Sequence, residues 1–255
     1  MSFGALSEQP QARLLLGAAV SEGPAHAYLF HGPAGVGKRA AARAFAAALL
    51  GDERRVRAGT HPDLFLLEAL GEMIRIDDVR ALHRDLHMRP YEAEWRVYVI
   101  ADAQLLNEDA ADALLKDLEE PPSYAVIVLV ADELGPLSPT IRSRCQLIPF
   151  RRLPERAVRA YLAERAPGLS EDEARALARV SGGRLDRAER LLDPSAQARR
   201  DELLRVARAP YAEPEVDPAE AAATLVEASR AAGTAAKERA EADLEGVALA
   251  ARESE

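Results

Sequence analysis

Along the first 150 residues, short apolar runs alternate with stretches whose apolar positions recur every three or four residues. The runs are Tyr28–His31, Asp63–Glu68, Val97–Ile100 and Ala125–Val130, with Gln146–Phe150 a fifth of the same kind. Between them, helical spacing covers Gln9–Ser21, Arg39–Leu50, Ile76 to about Met88, and Glu108–Glu119. Gly51–Gly59 reads as a polar connector, and Pro90 and Pro121-Pro122 are stop signals. Strands apolar on both faces and alternating with helices predict an α/β fold, a parallel sheet covered on both sides.

After Arg152 the pattern is helical only. Pro154–Arg165 is one helix, and Ser170-Glu171-Asp172-Glu173 is a capping box that opens a second. Gly182-Gly183 ends that one, and Leu185–Leu192 is a third, closed by Pro194. The expected organisation is therefore an α/β domain over 1–152, a three-helix domain over 153–195 and a short helical segment over 196–255. In that last segment Ala196–Arg208 reads as a helix, Ala209–Pro218 as a break, and the rest as an alanine-rich tail. The tail has too few large apolar residues to bury much surface alone.

The first strand leads into Gly32-Pro33-Ala34-Gly35-Val36-Gly37-Lys38-Arg39 and then into a helix. Strand, glycine loop and helix form the context in which G-x-x-x-x-G-K holds phosphate. Backbone N–H groups converge on the anion, the helix N-terminus adds positive potential, and the lysine adds a mobile charge. Lys38 is one of only three lysines in a chain whose other basic residues are arginine. The candidate nucleotide contacts are Gly32, Pro33, Gly35, Val36, Gly37, Lys38 and Arg39. The last of these is wrong for an ATPase. A Ser or Thr hydroxyl binds magnesium at that position, whereas Arg39 has no acceptor and repels a cation.

Two further positions lack ATPase chemistry. The end of the third strand reads Ile100-Ala101-Asp102, without the acidic pair that holds magnesium and polarises water. The end of the fourth reads Val130-Ala131-Asp132, where an alanine and a carboxylate are poor partners for a γ-phosphate.

Composition narrows the class. Apolar content of 48% and charged content of 29% describe a folded protein. One cysteine, Cys145, allows neither a disulfide framework nor a zinc cluster, and a reducing, cytoplasmic setting is the simplest expectation. No leader or membrane-length apolar run is evident. The net charge of −9 is concentrated in residues 211–255, which hold eleven acidic and four basic side chains. That argues against a generic nucleic-acid binder, while leaving room for a DNA path along the nearly neutral front part.

Three stretches together resemble a family. They are His26-Ala27-Tyr28-Leu29-Phe30 with the phosphate loop, Ala113-Leu114-Leu115-Lys116-Asp117-Leu118-Glu119-Glu120-Pro121-Pro122, and Thr140-Ile141-Arg142-Ser143-Arg144-Cys145. The chain resembles the AAA+ subunits of the bacterial sliding-clamp loader over about residues 3–195. The resemblance implies a RecA-like AAA+ P-loop domain, a helical lid and a C-terminal collar, here expected as a shortened helical segment. It implies a non-hydrolysing member of a ring that opens the clamp and loads it on primed DNA. Its partners would be the gamma/tau motor and delta subunits, the sliding clamp indirectly, and primer–template DNA. Within Ser143-Arg144-Cys145, Arg144 would reach into a neighbouring subunit's ATP site and act there in trans. No cofactor is then required, and weak ATP, ADP or phosphate binding would remain.

Where relatives carry a zinc module, Gly51–Gly59 has no cysteine, so no metal is assigned. His83 and His87 have a metal-binding spacing of four, but no third ligand is evident from sequence. Arg75, Arg80 and Arg84 are the candidate DNA contacts. The competing readings are a hydrolysing motor subunit of the same loader, opposed by Arg39 and Ala101, and a free-standing DNA-binding AAA+ protein. The latter predicts a basic module after the lid, where the chain is acidic.

Overall fold

In the computed structural model, residues 6–69 and 71–193 are described, together with scattered helical residues between 201 and 237. The expected collar-like segment over 196–255 lies mostly outside the described residues. The chain packs as two units, 1–189 and 190–255. The first carries everything discussed below.

Its elements are α1 (Pro10–Glu22), β1 (Ala27–His31), α2 (Lys38–Leu50), α3 (Glu53–Ala58), β2 (Leu64–Leu67), α4 (Ile76–Leu86) and β3 (Arg96–Ile100). They continue with α5 (Glu108–Glu119), β4 (Ala125–Ala131), α6 (Pro139–Ser143), β5 (Gln146–Pro149), α7 (Glu155–Arg165), α8 (Glu171–Ser181) and α9 (Leu185–Leu192). The five strands form one sheet in the order β2-β3-β4-β1-β5, and all four pairings are parallel.

The alternation of side chains along each strand divides the core in two. Val126, Val128 and Val130 of β4 face Ala41, Phe45 and Ala46 of α2 in one buried cluster with α1 and α3. Ala125, Ile127 and Leu129 face the other way, into a cluster with Val79, Leu82 and Leu86 of α4 and Leu114 and Leu118 of α5. The inner strands β3, β4 and β1 are buried on both faces, which is why they read as continuous apolar runs. The ring of Phe45 packs on Tyr28 at 5.0 Å and on Phe30 at 6.4 Å, anchoring the helix that follows the phosphate loop to the strand that precedes it.

Two local expectations are corrected. Gly51–Gly59 is not a plain connector. Asp52 Oδ1 accepts the Arg55 N–H at 2.9 Å, and this cap opens α3, which Gly59 ends in a left-handed conformation. The Pro139–Ser143 stretch, where the sequence pattern marked no helix, is helical, with Pro139 in its first turn and Ser138 Oγ accepting the Ile141 N–H at 3.3 Å. Its single turn buries Ile141 and leaves the adjoining Arg144 at its end.

Candidate functional site: a phosphate cleft lined by matched charges

The phosphate loop connects β1 to α2, and Lys38 is the first residue of α2. The loop's glycines are required by space as well as by conformation. A Cβ on Gly32 would lie 2.2 Å from the Phe150 carbonyl oxygen, and a Cβ on Gly35 would run into the Asp186 carboxylate. Both have positive φ, +137° and +70°. The Leu185 N–H donates to the Gly35 carbonyl at 2.7 Å, so α9 begins directly on the loop.

Lys38 does not stand free for a ligand. It is 4% exposed, and its Nζ donates to the carbonyls of Gly32 (2.7 Å) and Pro33 (2.6 Å). Its third partner is Asp132 Oδ1 at 2.7 Å, at the end of β4. Burial pulls the Lys38 pKa below its usual value, more than Asp132 holds it up. Burial and the nearby Lys38 charge likewise lower that of His31.

The loop opens on a cleft of about 500 Å³. Four basic side chains line it, Lys38, Arg39, Arg165 and Arg184, and so do four acidic ones, Asp102, Asp132, Asp186 and Glu189. Each cation is paired with an acid of the same cleft: Lys38 with Asp132, Arg39 with Asp102, Arg165 with Glu189, and Arg184 with Asp186. Asp102 adopts a left-handed backbone (φ 54°), which Asp tolerates, and its carboxylate meets Arg39 at the position where an ATPase has its magnesium ligand. A phosphate entering this cleft meets guanidiniums and an ammonium that are each already paired with a carboxylate. Glu189 also accepts the Tyr161 hydroxyl at 3.1 Å. Asp132, Asp186 and Glu189 were not singled out as partners by sequence. They come from β4 and α9, far along the chain from the loop, and only the fold joins them.

Arg144 lies outside this cleft's lining. It ends α6, donates from Nη1 to the Thr140 carbonyl at 3.1 Å, and forms an ion pair with Glu119 of α5. Two of the motif stretches thereby meet: the Glu119 of the Leu-Glu-Glu-Pro-Pro run holds the arginine of Ser143-Arg144-Cys145. The guanidinium remains one-third exposed. Ser143 Oγ donates to the Thr140 carbonyl at 2.9 Å. Cys145 is half-buried, and burial pushes its thiol up to about 12. Arg75, Arg80 and Arg84 are all exposed around α4. Arg75 precedes the helix, with its N–H on Asp78 Oδ2 at 2.9 Å, while Arg80 pairs with Asp77 at 3.1 Å. Arg80 and Arg84 share a face, one turn apart.

A five-stranded parallel sheet with a phosphate loop after β1, which lies between β4 and β5, and a helical cap over that loop defines an AAA+ P-loop protein. A solved structure of a DNA polymerase III gamma subunit-related protein from Thermotoga maritima superposes with a TM-score of 0.57, at 21% identity, covering 86% of this chain and 77% of that one. The family described as DNA polymerase III, delta subunit, matches residues 8–154, and the chain belongs to that family. The delta-prime subunit of Pseudomonas aeruginosa is 38% identical over 185 residues, 66% of this chain and 56% of that protein. The tau subunit of Bacillus subtilis is 32% identical over 146 residues, 52% of this chain and 26% of that protein. The chain thus spans little more than half the length of its delta-prime relative.

Proposed function

We propose that this chain is a non-hydrolysing, delta-prime-like subunit of a DNA polymerase III clamp loader. It helps open the sliding clamp and load it on primer–template DNA, beside gamma/tau motor and delta subunits. The observation that carries this reading is the cleft itself. Lys38 is held by its own loop and by Asp132, and Arg39 is tied to Asp102 where a magnesium-binding hydroxyl belongs. No cofactor is needed for such a role, although Lys38 and the loop N–H groups retain weak affinity for ATP, ADP or phosphate.

In this reading Arg144 is the chemical contribution. It leaves Glu119 when a motor subunit docks and stabilises charge developing on that neighbour's γ-phosphate. Ser143 and Cys145 set its backbone, and Arg75, Arg80 and Arg84 offer charge to DNA phosphates. The competing reading is a motor subunit of gamma/tau type, to which the tau similarity lends weight. Arg39 and Ala101 speak against it. The test is a loader rebuilt with Arg144→Ala and with Arg144→Lys, once assembly is confirmed. Clamp- and DNA-stimulated ATPase should fall, by less than the ~10³–10⁵-fold of a single-site arginine finger because other ATP sites remain, and lysine should not rescue. Wild-type rates in both variants would make Arg144 a surface charge.

A further inference from the structure

On the opposite face of the sheet from the phosphate loop's helix, α4 packs on α5, and here a third set of polar side chains converges. His83 lies on α4 and His87 is the residue that ends it, one turn further on, with ring centroids 4.8 Å apart and planes at 84°. Asp117 of α5 brings its carboxylate to them. One donor atom from each of the three residues lies within 4.8 Å of the others. The sequence offered no third ligand for the histidine pair, because the residue that completes it sits on a different helix and carries no motif of its own.

Asp117 is unusual for a helix–helix seam. It is 3% exposed, between Leu114 and Leu118, in a position that the helical pattern reserves for apolar residues. Its Oδ1 meets His83 Nδ1 at 2.6 Å. Its Oδ2 has no hydrogen-bond partner among the described residues. A carboxylate withdrawn from water with one oxygen unpaired is costly, and such groups are normally paired or bound to a cation. Both imidazoles beside it are exposed.

We infer that His83, His87 and Asp117 form a binding site for a divalent transition-metal ion of the zinc class, which clamps α4 to α5. Two histidines at i and i+4 on one helix face are a proven bidentate arrangement for zinc, and a carboxylate from a second element completes three ligands. Donor atoms around a tetrahedral ion at about 2.1 Å stand about 3.4 Å apart, so the set closes by rotation of the two exposed rings about their side-chain torsions. The ion takes the place of the proton between His83 Nδ1 and Asp117 Oδ1. His83 then carries its proton on Nε2, and water fills the open coordination position. Arg80, one turn back on α4, is drawn aside by Asp77 and does not fill the site. Imidazole with carboxylate favours zinc, nickel or copper over magnesium or calcium.

The test uses the full chain, stripped with chelator and titrated with Zn²⁺ by calorimetry and by thermal melting. One equivalent should bind. At a hundredfold excess of free Zn²⁺ over its Kd, the melting midpoint should rise by about 5–10 °C. His87→Ala, an exposed change that leaves the core intact, and Asp117→Asn should each weaken binding by about 10-fold or more and remove most of the thermal shift. His26→Ala, at an exposed histidine elsewhere, should leave both unchanged. Absence of stoichiometric binding, or equal binding in His87→Ala, overturns the site and leaves His83 and Asp117 as a hydrogen-bonded pair only. If Asp117→Asn fails to fold, His83→Ala, also exposed, decides the same question.

Discussion

Replacing Lys38 by Met separates two kinds of phosphate loop. In a loop awaiting a ligand, the lysine head is solvated, and its loss changes the stability of the free protein by less than about 0.5 kcal/mol. Here the head is 4% exposed and holds two carbonyls and a carboxylate. Met fills much of the same volume and removes all three contacts. Hydrogen bonds to a charged donor contribute about 1.5–3 kcal/mol each, so the Gly32 and Pro33 carbonyls together represent several. Three effects reduce that figure. The carbonyls border an open cleft and regain water, Asp132 is 40% exposed and rehydrates readily, and the cost of burying an ammonium disappears. A net loss of about 2–3 kcal/mol remains. For a unit of 189 residues this lowers the melting midpoint by about 5–10 °C. The assay is urea and thermal unfolding without nucleotide, with Asp132→Asn alongside. The latter should loosen the hold on Lys38 and remove a charge that repels phosphate, raising affinity for an ATP analogue several-fold. A Lys38→Met protein within 0.5 kcal/mol of wild type would refute the reasoning and restore Lys38 as a free ligand-binding group.

Two more predictions concern the same unit. Asp63 is fully buried and accepts the N–H groups of Tyr91 (2.6 Å), Glu92 (3.0 Å) and Ala93 (2.9 Å). Burial alone would raise its pKa, but these donors and Arg96 hold it below the usual carboxylate value. Because the folded value is depressed, the stabilisation is present above the unfolded pKa of about 3.9 and is lost as pH falls through the folded value. Asp63→Asn should therefore cost about 2–3 kcal/mol at pH 6–8, by urea unfolding, with the gap to wild type narrowing below about pH 4; a gap that persists undiminished at pH 2–3 contradicts this. Cys145, the chain's one thiol, should react slowly with a disulfide reagent at pH 8 while folded and fully after denaturation, since burial pushes it up to about 12. Fast labelling of the native chain would show the Ser143–Cys145 segment to be open.

Much of the sheet was legible because β1, β3 and β4 are buried on both faces and announce themselves as apolar runs. The bounds of α5 and α9 follow from side chains that act locally: Asn107 caps α5, and the Leu185–Leu192 apolar period ends before Pro194. Two short helices escaped notice because α3 and α6 have only six and five residues, too few for periodicity to register. The phosphate loop was visible as a motif, and so was the misfit of Arg39. What closes the loop was not. Asp132 reads as a strand-end carboxylate and Asp186 as an ordinary acid in the first turn of a helix. Their meaning depends on β4 lying beside β1 and on α9 starting at Gly35, facts of topology rather than of local pattern. Asp117 escaped for the same reason. Its neighbours Leu114 and Leu118 signalled a buried helix face, but nothing local indicated that His83 would stand opposite.

The proposed role stands on a phosphate-loop cleft in which each basic side chain is paired with a carboxylate. The most direct test is the magnesium-dependent ATPase activity of the purified chain, measured beside ATP binding. The account predicts no hydrolysis above background, at most weak binding, and no gain of turnover in Arg39→Thr, because Ala101 still leaves the attacking water without a polarising carboxylate. Steady magnesium-dependent hydrolysis by the wild-type chain, abolished in Lys38→Ala, would contradict it and establish the motor reading instead.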